Sequence, residues 1–326
     1  MTAETAMRTT APGMRGTAPN KKISNKVRPA ILCRANIISK KRVLFLTNLV
    51  LCGKIYDKAV FSMGIATVIT SGKGGVGKST ASVGLGRALA ARGRRVLLVD
   101  CDAGLRGLDR LSGTEAELVY DISDVVFGRC SPAEAIYPCR IASESGGSAR
   151  PENEDDGSRG LFLLPAPARV EDMVRPPVMR RLIPLLKRYY DHVLLDSPAG
   201  VGMGFQAAAC AADRALVLCG PDPVSVRSAS SVRLLLTGLE IKEMRLIINQ
   251  FDRSLFRETG AFADLDGVID AAGIQLGALV PLDHSLAAAF LRGRPAPENS
   301  PGMLAMSRAA ARLEGESVPM PAWYLS

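Results

Sequence analysis

The sequence predicts an α/β fold in which a doubly wound, mainly parallel sheet carries helices on both faces. From Met63 onward, short apolar runs alternate with stretches of helical periodicity, which is typical of parallel α/β domains. The apolar runs are mostly continuous, as expected of strands that are covered on both faces. The predicted strands are 65–70, 96–100, 161–165, 192–196, 214–219, 245–249 and 276–281, and the predicted helices are 79–92, 121–127, 178–189, 224–237, 264–272, 285–292 and 303–313.

The first 62 residues differ in composition from the rest of the chain. They hold 12 Lys and Arg against two acids, whereas the remaining residues hold 29 basic and 30 acidic side chains. The formal charge of +9 therefore resides in this extension, and a neutral body gives no reason to expect a nucleic-acid partner. The apolar run from Val43 to Cys52 is too short to cross a bilayer. We expect 1–62 to be poorly ordered, and we favour translation from Met63 over a transit peptide.

The cysteines favour a reducing compartment. The chain has seven of them and no C-x-x-C pair. This pattern is typical of free thiols in a cytoplasmic protein and does not indicate a structural metal site. We therefore expect a cytoplasmic location.

A glycine-rich loop lies between the first predicted strand and the first predicted helix, and it reads Thr-Ser-Gly-Lys-Gly-Gly-Val-Gly-Lys-Ser-Thr over residues 70–80. Glycines let backbone N–H groups wrap a polyphosphate without side-chain clashes, and the start of the following helix adds partial positive charge. Lys78 can reach the β- and γ-phosphates, and the Ser79 hydroxyl can bind Mg²⁺. The predicted nucleotide-binding residues are Gly72, Gly74, Gly75, Val76, Gly77, Lys78, Ser79 and Thr80.

The same loop also fits a second pattern. Gly72 to Gly77 matches the dinucleotide fingerprint G-x-G-x-x-G, and Asp100 lies near the position of a ribose-binding acid. The ending Gly77-Lys78-Ser79 favours the phosphate-binding P-loop, because a dinucleotide site uses neither a lysine nor a hydroxyl there. Asp196 ends another apolar strand and fits the carboxylate on the Mg²⁺ side of a nucleotide-hydrolysing site. We therefore expect ATP and Mg²⁺ as cofactors.

Lys73 gives the loop a second lysine, and K-G-G-x-G-K-[ST] resembles the deviant Walker A loop of the ParA/MinD family. The resemblance extends over about 63–313, which we take as the ATPase domain. Val99 to Asp109 is similar to the first switch of the family, and Leu195 to Gly200 is similar to its second switch and Walker B segment. These two segments resemble the MinD branch, the septum-placement ATPases.

The resemblance implies an ATP-dependent homodimer in which Lys73 reaches the nucleotide of the partner subunit. It also implies that Lys78 and Asp102 act in catalysis, that Asp102 orients the attacking water, and that Ser79, Asp100 and Asp196 support Mg²⁺. Asn249 matches the adenine-reading position of the family, and an amide can both donate to and accept from the base. The implied function is a Mg²⁺-dependent ATPase that positions the division site, with a protein activator or division inhibitor as partner.

Three alternatives differ in what they require. A ParA-like partitioning or flagellar-placement ATPase remains open, although the neutral body disfavours DNA binding. An iron–sulfur scaffold of the Mrp branch would need a C-x-x-C near the C-terminus, and none is present. A nucleotide-binding adaptor that does not hydrolyse ATP remains open until turnover is measured.

Two segments lie outside the predicted helices and strands, an internal insert and the C-terminal tail. Residues 143–159 form a low-complexity insert, which we expect to be a solvated surface loop. The tail 314–326 has two acids, two prolines and no Lys or Arg, so it cannot form the basic amphipathic helix with which MinD proteins typically end. Membrane contact therefore stays open, and the alternative to a purely cytoplasmic location is peripheral binding at the inner face of the cell membrane.

Overall fold

The computed structural model describes residues 63–139 and 159–321. The predictions for 1–62, for 143–158 of the insert and for the last five residues of the tail lie outside the described residues. None of the helices in the two described ranges combines the length and the apolar character needed to cross a bilayer.

The described strands form one eight-stranded sheet in the order β3-β4-β2-β5-β1-β6-β7-β8. All neighbouring strands pair in parallel except β3, which pairs antiparallel with β4 at one edge. The predicted mainly parallel α/β sheet is thus confirmed. The strands are β1 (Ile65–Thr70), β2 (Arg95–Asp100), β3 (Tyr137–Pro138), β4 (Gly160–Leu164), β5 (His192–Asp196), β6 (Arg214–Cys219), β7 (Glu243–Phe251) and β8 (Leu276–Pro281).

Helices connect the strands and cover the sheet. Every predicted helix and strand is present within three residues of its predicted bounds, whereas β3, α2, α5 and α7 were not predicted. The helices are α1 (Lys78–Ala91), α2 (Gly107–Leu111), α3 (Ile122–Phe127), α4 (Pro176–Leu186), α5 (Met203–Ala209), α6 (Pro223–Gly238), α7 (Arg253–Thr259), α8 (Leu265–Ala272), α9 (His284–Leu291) and α10 (Pro301–Leu313).

Helix α1 lies unusually close to its neighbours because it presents glycines to them. A Cβ at Gly86 would lie 2.7 Å from Leu161 Cδ1 of β4, and a Cβ at Gly84 would lie 3.2 Å from Met306 of α10. The helix is therefore seated between the sheet and α10, and this packing fixes where its N-terminus points.

The described part of the tail is held at the end of the sheet where the parallel strands begin. Glu314 accepts a hydrogen bond from Arg92 Nε at 2.6 Å and another from Arg94. Arg312 donates to the carbonyl oxygens of Gly277 at 3.0 Å and Val318 at 2.8 Å. Residues 314–321 contain no helix, as their prolines and acids predict.

Candidate nucleotide-binding site

The glycine loop lies at the carboxyl end of β1 and leads directly into α1. Gly75 and Gly77 have φ angles of 78° and 85°, which glycine adopts without the strain that a Cβ would bring. Helix α1 begins at Lys78 without a side-chain cap. Its first backbone N–H groups therefore remain available for an anion, and the helix start adds partial positive charge at the same point.

Lys78 is held inside the loop. Its side chain is buried, and Nζ donates to Ser71 Oγ at 3.1 Å, while Ser71 Oγ donates to the carbonyl oxygen of Lys73 at 2.7 Å. Burial lowers the pKa of Lys78, and the nearby Asp196 and Asp102 oppose this shift. A desolvated ammonium beside free helix N–H groups is suited to a phosphate, which would replace the water that the group has lost.

Asp100 and Asp196 form a buried pair at the carboxyl ends of β2 and β5. They are register partners on these neighbouring strands. Burial and, to a smaller extent, the charge of Asp196 raise the pKa of Asp100 to about 8. Burial also raises the pKa of Asp196 to about 6, although Ser79 Oγ at 2.7 Å and Ser82 Oγ at 2.8 Å both donate to it. Two carboxylates forced together in this way are stabilised by a cation.

The residues present fit Mg²⁺. The Ser79 hydroxyl lies on Asp196 with Asp100 beside it, and hydroxyl and carboxylate oxygens are ligands that Mg²⁺ prefers. Within the described residues, no group of three or more His, Cys, Asp or Glu side chains could hold a metal ion alone.

Asp102 follows this pair in the loop between β2 and α2. Its backbone N–H donates to Asp100 Oδ1 at 2.9 Å, and Leu108 N at the start of α2 donates to Asp100 Oδ2 at 3.3 Å. The Asp102 side chain is half-buried, burial raises its pKa, and Lys78 opposes the shift. The structure therefore brings the predicted residues Lys78, Ser79, Asp100, Asp102 and Asp196 together.

Lys73 lies apart from this cluster. Its Nζ is 3.6 Å from Asp222 Oδ1 at the N-terminus of α6, and both side chains are about half exposed. Asp222 also caps α6 by accepting a hydrogen bond from Ser225 N at 2.9 Å. Sequence reasoning did not single out Asp222, although an Asp before Pro223 and a helical stretch is the usual signal for such a cap.

Asn249 braces the loop from the end of β7. Its Nδ2 donates to the carbonyl oxygen of Val76 at 2.7 Å, and a Cβ at Gly77 would lie only 2.5 Å from this atom. Gln250 makes a similar contact, because its Nε2 donates to the carbonyl oxygen of Gly75 at 3.4 Å. Asn249 thus supports the loop through its amide nitrogen, and its role in reading adenine stays a prediction. Sequence reasoning missed Gln250, whose φ of 56° turns the chain here.

The other predicted loop residues differ in what they contact. A Cβ at Gly72 would lie 2.7 Å from both Cβ and the carbonyl oxygen of Ser228, so glycine is required here by packing against α6. Val76 is buried in the main hydrophobic core. Gly74 is exposed, and Thr80 is half-buried in the first turn of α1.

Known proteins resemble this chain over most of its length. The model of the CobQ/CobB/MinD/ParA nucleotide binding domain matches residues 67–296. The septum site-determining protein MinD of Bacillus subtilis is 38% identical over 264 residues, which cover 79% of this chain and 92% of that protein.

Two solved structures extend the similarity to the fold. The MinC:MinD cell division protein complex of Aquifex aeolicus matches with 32% identity and a TM-score of 0.66, covering 79% of this chain and 99% of that one. The septum site-determining protein MinD of Pyrococcus horikoshii, complexed with Mg-ADP, matches with 25% identity and a TM-score of 0.65, covering 77% and 96%. The chain therefore belongs to the CobQ/CobB/MinD/ParA nucleotide-binding family, and within it to the MinD group.

Proposed function

We propose that this chain is an ATP-hydrolysing switch of the MinD type that controls where the division septum forms. The observation that carries the proposal is the cluster of Lys78, Ser79, Asp100 and Asp196 around the free start of α1. Family membership makes the chain a nucleotide-binding ATPase, and the septum site-determining relatives support the cellular role.

The residues of the pocket divide the chemistry among them. The loop N–H groups and Lys78 bind and neutralise the phosphates, and Asp102 orients a water molecule for attack on the γ-phosphorus. The bond from this phosphorus to the bridging oxygen breaks, which gives ADP and inorganic phosphate. Mg²⁺, held by Ser79 with Asp100 and Asp196 behind it, would neutralise charge on the phosphates when bound, and the Mg-ADP in the Pyrococcus relative supports this assignment. Such a site works by positioning and charge.

The exposed position of Lys73 supports a homodimer that forms with ATP. A lysine on the surface beside the loop can reach a nucleotide bound by a facing subunit, provided that it leaves Asp222. The Aquifex complex of MinD with MinC supports a further protein partner of the division-inhibitor kind. From the resemblance to the family motifs, we also assign Lys73, Lys78 and Asp102 to catalysis and Asn249 to the adenine edge.

Light scattering and phosphate release with and without ATP test the switch. We expect the full chain to dimerise with ATP and to hydrolyse it. Lys73→Ala should bind ATP as a monomer and lose turnover by about 10³-fold, because a charge supplied in trans to the transferring phosphoryl group contributes that much. Asp102→Ala should dimerise and retain unhydrolysed ATP.

Lys242→Ala, which removes an exposed lysine before β7, is the matched control and should behave as the wild type does. A Lys73→Ala protein that dimerises and turns over ATP like the wild type would contradict the proposed trans-acting role. A wild-type dimer that binds ATP without any turnover would favour the adaptor instead.

A further inference from the structure

An open groove of about 1050 Å³ lies between the end of α2 and the loop that follows α9. Arg110 of α2 stands on one wall with Glu115, and Arg292 and Arg294 stand on the other. The groove is separate from the nucleotide pocket, because none of the loop residues or carboxylates of that pocket lines it.

Among the described residues that line this groove, three arginines face one acid, so positive charge is in excess. The side chains of Arg110, Arg292 and Arg294 are exposed, and their guanidinium groups make no hydrogen bond or ion pair within residues 63–139 and 159–321. Glu115 is the acid in the lining. Since residues 63–326 carry nearly equal numbers of acids and bases, three unpaired arginines in one concave surface are a local concentration of positive charge.

The groove also offers an apolar contact. Leu291, the last residue of α9, is 62% exposed and lines the same surface. A guanidinium group can form two parallel hydrogen bonds with a carboxylate. Arginines beside an exposed leucine therefore complement a peptide in which acidic residues flank an apolar side chain. Glu115 within the lining disfavours a nucleic-acid backbone, which presents negative charge continuously.

The two walls are in direct backbone contact. Gly293 has a φ of 60°, and a Cβ there would lie 3.0 Å from the carbonyl oxygen of Arg110 and 3.3 Å from Gly113 Cα. The wall that carries Arg110 continues into α2, whose residue Leu108 donates its N–H to Asp100. An occupant that bridges the walls would therefore hold the helix that contacts the carboxylate pair.

We propose that this groove binds an acidic segment of a regulatory protein, and that binding changes the rate of ATP hydrolysis by fixing α2. The rate effect rests on the proposed ATPase function, whereas the binding of the segment does not. The arginines provide the affinity for carboxylates, and Leu291 receives an apolar side chain.

The binding test uses the full chain and a fluorescein-labelled eight-residue peptide of aspartate and glutamate around two leucines. Fluorescence anisotropy should detect binding that weakens with added salt. The double variant Arg292→Gln/Arg294→Gln should weaken it about tenfold or more, since two charge-assisted contacts are lost. The control Arg181→Gln/Arg188→Gln removes the same charge from two exposed arginines in and after α4, and it should bind the peptide as the wild type does.

A peptide in which glutamine and asparagine replace the acids should not bind, and a single-stranded oligonucleotide of equal charge should bind more weakly than the acidic peptide. Equal peptide affinity in both double variants, no binding by the wild type, or tighter binding of the oligonucleotide would each overturn the proposal. Thermal melting of the variants distinguishes a lost contact from a lost fold.

Phosphate release measured with the acidic peptide tests the second half of the proposal. The peptide should change the rate of phosphate release by the wild type and by Arg181→Gln/Arg188→Gln. It should have no effect on the rate of Arg292→Gln/Arg294→Gln. Binding without any change in a measurable rate would overturn the coupling through α2. Absence of turnover in every protein would instead overturn the ATPase function, while the anisotropy result would stand.

Discussion

The two lysines of the glycine loop occupy opposite environments. Lys78 is buried and bound to Ser71, whereas Lys73 is half exposed beside Asp222. The sequence shows that both lysines are present, and only the fold shows that one is buried and the other exposed.

Lys78→Ala should abolish ATP binding in isothermal titration calorimetry, because it removes the one charge that the loop directs into the phosphate site. Lys73→Ala is the matched control and should bind ATP with nearly unchanged affinity. If Lys78→Ala binds ATP as tightly as the wild type does, the assignment of the loop to phosphate is wrong.

The Asp196 carboxyl should make the stability of the nucleotide-free protein depend on pH. Its folded pKa of about 6 lies above its unfolded value, so its contribution is fully present below about pH 4 and is lost as pH rises through about 6. Asp196→Asn keeps a group that both serines can contact and carries no charge to desolvate. Without nucleotide and Mg²⁺, we therefore expect the variant to gain about 1–3 kcal/mol relative to the wild type between pH 5 and pH 8.

Urea unfolding at pH 5 and at pH 8 measures the difference in stability between the variant and the wild type. Asp270→Asn, which changes an exposed carboxyl on α8, is the control and should follow the wild type. If the Asp196 variant loses as much stability between pH 5 and pH 8 as the wild type does, another group, such as Asp100, is responsible.

Asp283 joins two helices through one carboxylate. Oδ1 caps α9 by accepting from Ser285 N at 2.9 Å and Leu286 N at 3.0 Å, and Oδ2 accepts from Gly302 N of α10 at 2.9 Å. Burial would raise the pKa of Asp283, but hydrogen bonds from the Ser285 and Ser300 hydroxyls and from Leu286 N and Gly302 N outweigh it and lower the pKa to about 2. The side chain therefore fixes the position of α10, against which α1 packs.

Asp283→Ala should lower the free energy of unfolding by about 2–3 kcal/mol, because it removes a helix cap and leaves Gly302 N without its acceptor. Asp252→Ala, which removes the cap of α7 alone, should cost about 1 kcal/mol. Denaturant unfolding at neutral pH measures both.

In the wild type, the contribution of Asp283 to stability should be complete above about pH 4 and fall as pH approaches 2. Equal costs for the two variants would mean that the bridge to α10 contributes nothing.

The elements that sequence reasoning missed are all short. Helix α2 has five residues, α5 and α7 have seven each, and β3 has two. Among helices of five to seven residues only α3 was predicted, because so few turns give a weak period and the helix also depends on tertiary contacts such as the bond from Leu108 N to Asp100. The long apolar strands were predictable because burial on both faces demands apolar residues throughout.

The described part of the C-terminal tail, residues 314–321, lies away from the nucleotide pocket. The tail is held at the N-terminal edge of the sheet through Glu314, whereas the pocket lies at the carboxyl ends of the strands. An acidic segment bound to arginines offers little attraction to an anionic bilayer.

We therefore expect that the tail does not bring the ATP-bound protein onto anionic vesicles. Replacing Trp323, Tyr324 and Leu325 together by serine leaves Glu314 in place, and it should not change co-sedimentation with vesicles in the presence of ATP. ATP-dependent sedimentation of the wild type that the triple variant loses would show that this end does bind the membrane.

The candidate site was predictable in its membership but not in its geometry. The motif and the strand ends identified Lys78, Ser79, Asp100, Asp102 and Asp196, because polar groups after apolar strands stand out in a sequence. The contact of Lys73 with Asp222, the support of the loop by Asn249 and Gln250, and the packing of Gly72 on Ser228 join residues far apart in the chain. Such contacts depend on side-chain placement, which periodicity does not encode.

The direct pairing of Asp100 with Asp196 limits how the chain can change in length. The position of each carboxyl group is set by the number of residues that precede it in its strand. Deleting one residue within β2 would draw Asp100 back by about 3.3 Å and turn it to the other face of the sheet. Insertions in the crossover segments displace neither group. Length variation in descendants of this chain is therefore confined to the connections, while the spacing from the first residue of β2 to its terminal acid stays constant.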